Sequence, residues 1–257
     1  MAVDFDREAP IGYITLNRPP ANSYDYNFMD ELGRAVAAAA DDPEVKVVVV
    51  RSALDRFFSA GADVKAFSEN TPERNMDMIR LAHQVLGRIA RIPKVFIAQI
   101  AGHAVGGGLE IALACDLRFG ADSEYRLGLP EVTLGLLPGN GGTQRLPRLI
   151  GWSKALDMMV TGRTVSPQEA LQLGILDRVF PADKLAEETR AYAEALARGA
   201  LKAIGHIKLA VHQGLDGGLD YGLRVERELI EDLFRSQDSQ EGIRAFLERR
   251  QPQFKGL

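Results

Sequence analysis

The chain has 257 residues, with 31 Lys and Arg against 35 Asp and Glu, for a net charge of −4. With no block of five or more like charges, that balance argues against nucleic acid as a partner. A chain of this length buries roughly 70–75% of its unfolded surface, so it needs neither disulfide nor metal to fold, and its single cysteine, Cys115 in an apolar run, reads as a core thiol in a reducing compartment.

The N-terminus, Met1-Ala-Val-Asp-Phe-Asp-Arg-Glu8, carries acids where a secretory signal would carry bases and an apolar core. From Ile11 to Asn17 the alternation is that of a strand, stopped by Arg18-Pro19-Pro20. Phe28 to Ala40 reads as a helix, and Val45 to Val50 as a buried strand by its β-branched run. Pro72-Glu73 opens a second helix, apolar at Ile79, Ala82, Leu86 and Ile89, which ends before Pro93; Val95 to Ile100 returns as a strand. The apolar stretch from Val95 to Leu109 is broken by Gln99, His103 and four glycines, short of the ~20 residues a membrane span requires. The reading is a cytoplasmic protein with no membrane partner.

Strand and helix alternate in this way to about residue 180, which indicates an α/β layer. Beyond Pro181 the strand signal stops, and Lys184 to Leu247 reads as consecutive helices broken at Gly199, Gly214 to Gly218 and Gln237-Asp238. Leu215, Leu219, Leu223, Leu229, Leu233 and Phe234 form an apolar stripe expected to pack on the α/β part or on another subunit.

Two acids stand out against this background. The segment Leu109-Glu110-Ile111-Ala112-Leu113-Ala114-Cys115 is apolar on every helical face except at Glu110, and Glu131 follows Gly128-Leu-Pro130 in a similar setting. A lone carboxylate in a buried helix is costly unless it is used or paired. The alternative reading of Glu110 is a core Glu satisfied by a hydrogen bond or by an arginine such as Arg118. The helix opens in Gly106-Gly107-Gly108, whose first-turn N–H groups are unpaired. A second small-residue turn is Ser59-Ala60-Gly61-Ala62-Asp63. If the two turns face each other, their N–H groups converge on one oxygen, a donor pair for charge developing on a carbonyl. Neither Gly-x-Gly-x-x-Gly nor a phosphate loop is present. The four histidines show no metal spacing, so no metal is expected, and Ser59 and His103 lack a nucleophile elbow.

Phe58-Ser-Ala-Gly-Ala-Asp-Val-Lys65, Gly106-Gly-Gly-Leu-Glu110, Cys115-Asp116-Leu117, Gly128-Leu-Pro-Glu131 and Pro138-Gly-Asn-Gly-Gly-Thr-Gln-Arg-Leu146 occur in that order. Together they resemble the enoyl-CoA hydratases of the crotonase superfamily, over nearly the whole chain. The resemblance implies an α/β, crotonase-like ββα spiral core over residues 1–197 that carries the active site, and a C-terminal helical trimerisation region over 198–257. It implies that backbone N–H groups of Ala62 and Gly107 hold an acyl thioester oxygen, and that Glu110 and Glu131 are the catalytic carboxylates. Glu110 would deprotonate water and Glu131 would supply the C2 proton. Ala60, Asp63, Val64 and Lys65 would contact the acyl-CoA, as would Lys255, from the same chain or from a neighbouring subunit. No cofactor is implied beyond the coenzyme A of the substrate, and the expected assembly is a homotrimer or a homohexamer built from two trimers.

The chain departs from the family at Asn22-Ser23-Tyr24-Asp25-Tyr26, where common members read Asn-Ala-Leu, and at Glu124 to Gly128, one residue longer than the commoner spacing. Both bear on the acyl group rather than on the reaction. The competing readings are a Δ3,Δ2-enoyl-CoA isomerase, and a non-catalytic or RNA-binding protein of the same fold; the acidic balance argues against RNA.

Overall fold

A computed structural model of the chain describes residues 1–256. Its strands are β1 (Val3–Glu8), β2 (Ile11–Leu16), β3 (Val47–Ser52), β4 (Phe57–Ser59), β5 (Val95–Ile100), β6 (His103–Val105), β7 (Leu117–Asp122), β8 (Leu127–Gly128), β9 (Thr164–Val165) and β10 (Arg178–Pro181). They form a larger sheet in the order β1-β2-β3-β5-β7-β10 and a smaller one in the order β4-β6-β8-β9. From β2 to β10 the larger sheet is parallel, and β1 is antiparallel to β2. In the smaller sheet only β9 runs antiparallel to its neighbour.

Three successive pairs, β3–β4, β5–β6 and β7–β8, each lay one strand in the larger sheet and the next in the smaller before helical segments return the chain. Both sheets advance by one place at each turn, giving a ββα spiral. The valines of β3 are buried from Val47 to Val50 because helices cover the sheet, as a continuous β-branched run requires. The sequence pattern does not reveal β1. Its acids at Asp4 and Asp6 belong to an edge strand, where charge blocks further pairing.

The predicted helical final third is present as the helices Leu185–Ala197, Leu201–Gly217, Leu219–Phe234 and Gln237–Glu248. The first of these lies on β2, β3, β5, β7 and β10 and belongs to the core. The next two form a tight hairpin, because Gly214 and Gly222 face each other; a Cβ on Gly222 would stand 2.9 Å from the Gly214 Cα. The apolar stripe does not pack on the α/β part as one expectation held. Leu215, Leu219, Leu223 and Phe234 are exposed within the single chain, since the hairpin turns that face away from the sheets. None of the described helices is long and apolar enough to cross a membrane.

Candidate active site

Strand β6 ends at Val105, and the chain turns through Gly106 at φ +55° into the helix Gly107–Ala114. The three glycines are set by close approach. A Cβ on Gly106 would stand 3.0 Å from Glu131 Oε1, one on Gly107 would overlap the Tyr24 phenol, and one on Gly108 would overlap the Ser59 carbonyl. Because β4 pairs with β6, the turn after Ser59 is brought against this one. A Cβ on Gly61 would lie 3.0 Å from Gly107 N. The two turns therefore face each other. The N–H groups of Ala62 and Gly107 are taken by no acceptor among the described residues.

Glu110 sits on the first turn of the glycine helix and is 1% exposed. Its Oε1 accepts from Asn140 N and Gly142 N, both at 2.7 Å. These donors come from the Pro138–Gly142 loop that precedes the helix Gly142–Ile150. Burial raises the Glu110 pKa; the N–H groups of Gly142 and Asn140 and the charge of Arg145 act against that rise. Of the alternative reading, the hydrogen-bonded form is present in these two backbone donors, whereas the pairing with Arg118 is not, because Arg118 is engaged elsewhere. Its guanidinium donates to Asp177 Oδ2 at 2.8 Å and to the Ile175 and Cys115 carbonyls.

Glu131 opens the 3-10 turn Glu131–Leu134, which follows β8. Its Oε2 is buried without a hydrogen-bond partner among the described residues. Burial, and then the negative charge of Glu110, push its pKa up to about 7, against the one opposing influence of its own backbone N–H. The two carboxylates thus share a site but differ in support. Glu110 is held by two backbone donors, whereas Glu131 keeps an unspent oxygen.

The remaining predicted residues divide into two groups. Asp63 caps the helix Val64–Glu69 by accepting from Ala66 N at 3.2 Å, and Val64 and Lys65 stand exposed on its first turn beside the Ala62 N–H. Ala60 is tied to the preceding chain by donating to the Ala21 carbonyl at 2.9 Å. Lys255 is elsewhere. Its N–H donates to Asp238 Oδ1 at 2.7 Å, on a surface lined by Gln237, Glu241, Arg244 and Arg250. Within one chain it is not part of the site, because the C-terminal tail folds back on the last helix. Ser59 and His103 form no pair; Ser59 Oγ donates to the Asn22 carbonyl at 2.8 Å, and His103 Nδ1 accepts from Arg126 N at 3.1 Å.

The sequence reading does not foresee the donors to Glu110, because a backbone N–H has no side-chain signature. The tract that supplies them, Pro138 to Leu146, is nonetheless one of the quoted motifs. Tyr24 is marked there only as a departure, yet it lies in the site. It is 3% exposed, and its hydroxyl accepts from the Asn140 carboxamide.

A sequence model of the family described as Enoyl-CoA hydratase/isomerase matches residues 6–257. A probable enoyl-CoA hydratase of Mycobacterium tuberculosis (strain CDC 1551 / Oshkosh) is 39% identical over 250 residues, covering 97% of this chain and 96% of that protein. The 2,3-dehydroadipyl-CoA hydratase of Escherichia coli (strain K12) is 38% identical over 251 residues, 97% of each. The crystal structure of an enoyl-CoA hydratase from Geobacillus kaustophilus HTA426 superposes with a TM-score of 0.97 at 48% identity, covering 100% of this chain and 97% of that one. A match along the whole chain, on a spiral that carries both carboxylates and both turns, leaves one assignment: the chain is an enzyme of the enoyl-CoA hydratase/isomerase family, with the crotonase fold.

Proposed function

We propose that the enzyme adds water reversibly across the 2,3 double bond of a trans-2-enoyl-CoA, giving a 3-hydroxyacyl-CoA. The observation that carries this reading is the unequal carboxylate pair beside two free backbone donors. The thioester oxygen would accept from Ala62 N–H and Gly107 N–H, which stabilise the negative charge that grows there as the enolate forms; loss of one such donor in other enzymes costs about 3 kcal/mol. Water placed between the glutamates loses a proton to Glu110 as its oxygen bonds to C3. Glu131, protonated near neutral pH when its pKa is about 7, delivers a proton to C2. The atoms of one water are thereby added, and the two glutamates exchange protonation states for the reverse reaction.

The exposed first turn at Asp63, Val64 and Lys65, with Ala60 before it, would receive the nucleotide end of coenzyme A. The uncovered face of Leu215, Leu219, Leu223 and Phe234 suits burial in a homotrimer, or in a homohexamer of two trimers. In such an assembly Lys255 would serve a neighbouring subunit's site. Light scattering after size exclusion measures the assembly.

The reaction is tested by the loss of conjugated-thioester absorbance when the purified protein meets crotonyl-CoA, and then branched, long and aromatic enoyl-CoAs. Glu110→Gln and Glu131→Gln should each lower kcat by at least ~100-fold with the fold retained. No absorbance change with any of these substrates would defeat the proposal. Turnover of a 3-enoyl-CoA without net hydration would move it to isomerisation.

A further inference from the structure

Tyr24 brings a third kind of group into the site. Its backbone forms a parallel bridge with Ala62: Tyr24 N donates to the Gly61 carbonyl and Asp63 N to the Tyr24 carbonyl, each at 2.9 Å. Its side chain runs inward to Gly107, where the phenol occupies the space a Cβ would need. One residue therefore touches both turns that carry the free donors.

The hydroxyl also has an unspent proton. Its oxygen accepts from Asn140 Nδ2, and no acceptor among the described residues takes its hydrogen. Burial, Glu110 and Glu131 in that order raise the phenol's pKa, so the hydroxyl stays protonated and lies within reach of both carboxylate charges. Asn140 Oδ1 and Glu131 Oε2 are likewise buried without partners among the described residues. Buried polar atoms left unpaired are costly. A donor and two acceptors are thus left open in the same site.

We propose that Tyr24 is a further catalytic residue, its hydroxyl donating to the oxygen that is water in one direction and the 3-hydroxyl in the other. That oxygen can give its hydrogens to the glutamates and needs one lone pair for C3; its second lone pair takes the Tyr24 proton. With all four directions fixed, the attacking lone pair is oriented before reaction, the kind of positioning that lowers a barrier. Asn140 is a positioning residue, since its carboxamide holds the phenol while its backbone N–H holds Glu110 Oε1. This proposal rests on the hydration reading.

The test is Tyr24→Phe, which keeps the ring and removes only the hydroxyl, measured on the intact enzyme in turnover and in binding. Hydration kcat should fall about 10-fold with KM for crotonyl-CoA nearly unchanged. Binding of 3-hydroxybutyryl-CoA should weaken about 3- to 10-fold, the scale of one lost hydrogen bond. Binding of butyryl-CoA, which has no oxygen at C3, should not change. Asn140→Ala should give a smaller loss of the same pattern. Equal weakening of both ligands would place the hydroxyl on the thioester oxygen or the acyl chain and overturn the proposal, as would wild-type kcat and binding in Tyr24→Phe. Absence of hydration by the wild-type enzyme defeats the parent reading instead, and is seen before any variant is made.

Discussion

Replacing Glu131 by glutamine should stabilise the folded protein at alkaline pH while it removes activity. A carboxyl group moved from its ordinary 4.5 to about 7 penalises the ionised folded state by up to roughly 3 kcal/mol. Glu131 keeps partial solvent access, and screening by water reduces that to ~1–2 kcal/mol. The folded state binds this proton more tightly than the unfolded chain does. The wild type therefore loses stability as pH rises from about 4.5 through about 7, and the penalty is fully present above that range. Glutamine carries no such charge, so the variant's advantage should be complete at pH 8 and mostly gone at pH 5. Urea unfolding of both proteins at the two pH values, at one protein concentration, reads the difference directly. We expect Glu131→Gln to be more stable by ~1–2 kcal/mol at pH 8 and by less than ~0.5 kcal/mol at pH 5. A pH-independent difference, or a variant less stable at pH 8 than the wild type, would refute the account of Glu131 as a desolvated acid.

Three further substitutions test the frame around the site. Gly107→Ala forces a methyl group into the Tyr24 phenol; it should cost ~1–3 kcal/mol of stability in thermal or urea unfolding, and kcat/KM should fall by at least ~100-fold as the donor turn shifts. Asn22 is fully buried at φ +51°, donates to the Leu16 and Phe58 carbonyls and to Ser52 Oγ, and accepts from Arg18 N. Asn22→Ala should lower unfolding free energy by ~3–4 kcal/mol, and a loss under ~1 kcal/mol would show those bonds to be dispensable. Lys208 Nζ ties the helix Leu201–Gly217 to the core by donating to the Ile89 and Lys94 carbonyls and by pairing with Asp116 at 2.8 Å. Lys208→Met removes these bonds and the positive charge beside the partly buried Asp116, which keeps only Phe96 N and His212 as partners among the described residues, and should cost ~3–5 kcal/mol in urea unfolding.

The parts of the site legible in sequence are those with an energetic anomaly. Glu110 is conspicuous because a charge in an apolar helix demands a reason, and Gly106 to Gly108 because three successive glycines forgo helix stability. The alternation of Ile11 to Leu16 and the valines of β3 declare the larger sheet for the same reason: their burial is written in side chains. The smaller sheet is not legible, because β8 and β9 are two residues each, too short for any period to register. Nor is the contact of Tyr24 with Asn140, which joins residues 116 positions apart and follows from the spiral alone.

The difference between the two glutamates is likewise a property of the chain path rather than of residue type. Glu110 lies where the Asn140–Gly142 loop turns its N–H groups inward, so its negative charge is solvated by backbone even though water is excluded. Glu131 lies at the head of a four-residue 3-10 turn between a two-residue strand and an exposed loop, and among the described residues the only backbone donor that reaches it is its own. Burial raises the pKa of both carboxyl groups, but two backbone donors and the Arg145 charge oppose the rise at Glu110, whereas at Glu131 it is opposed by the residue's own N–H. Under the hydration proposed for the pair, this difference would let Glu131 hold a proton near neutral pH while Glu110 serves as the base. It follows that the division of labour would survive exchange of either glutamate for aspartate only as far as the shorter side chain still reaches these backbone positions. If the pair acts as proposed, the Pro138–Gly142 loop, which holds Glu110 through Asn140 N and Gly142 N, would be as much a part of the chemistry as that carboxylate.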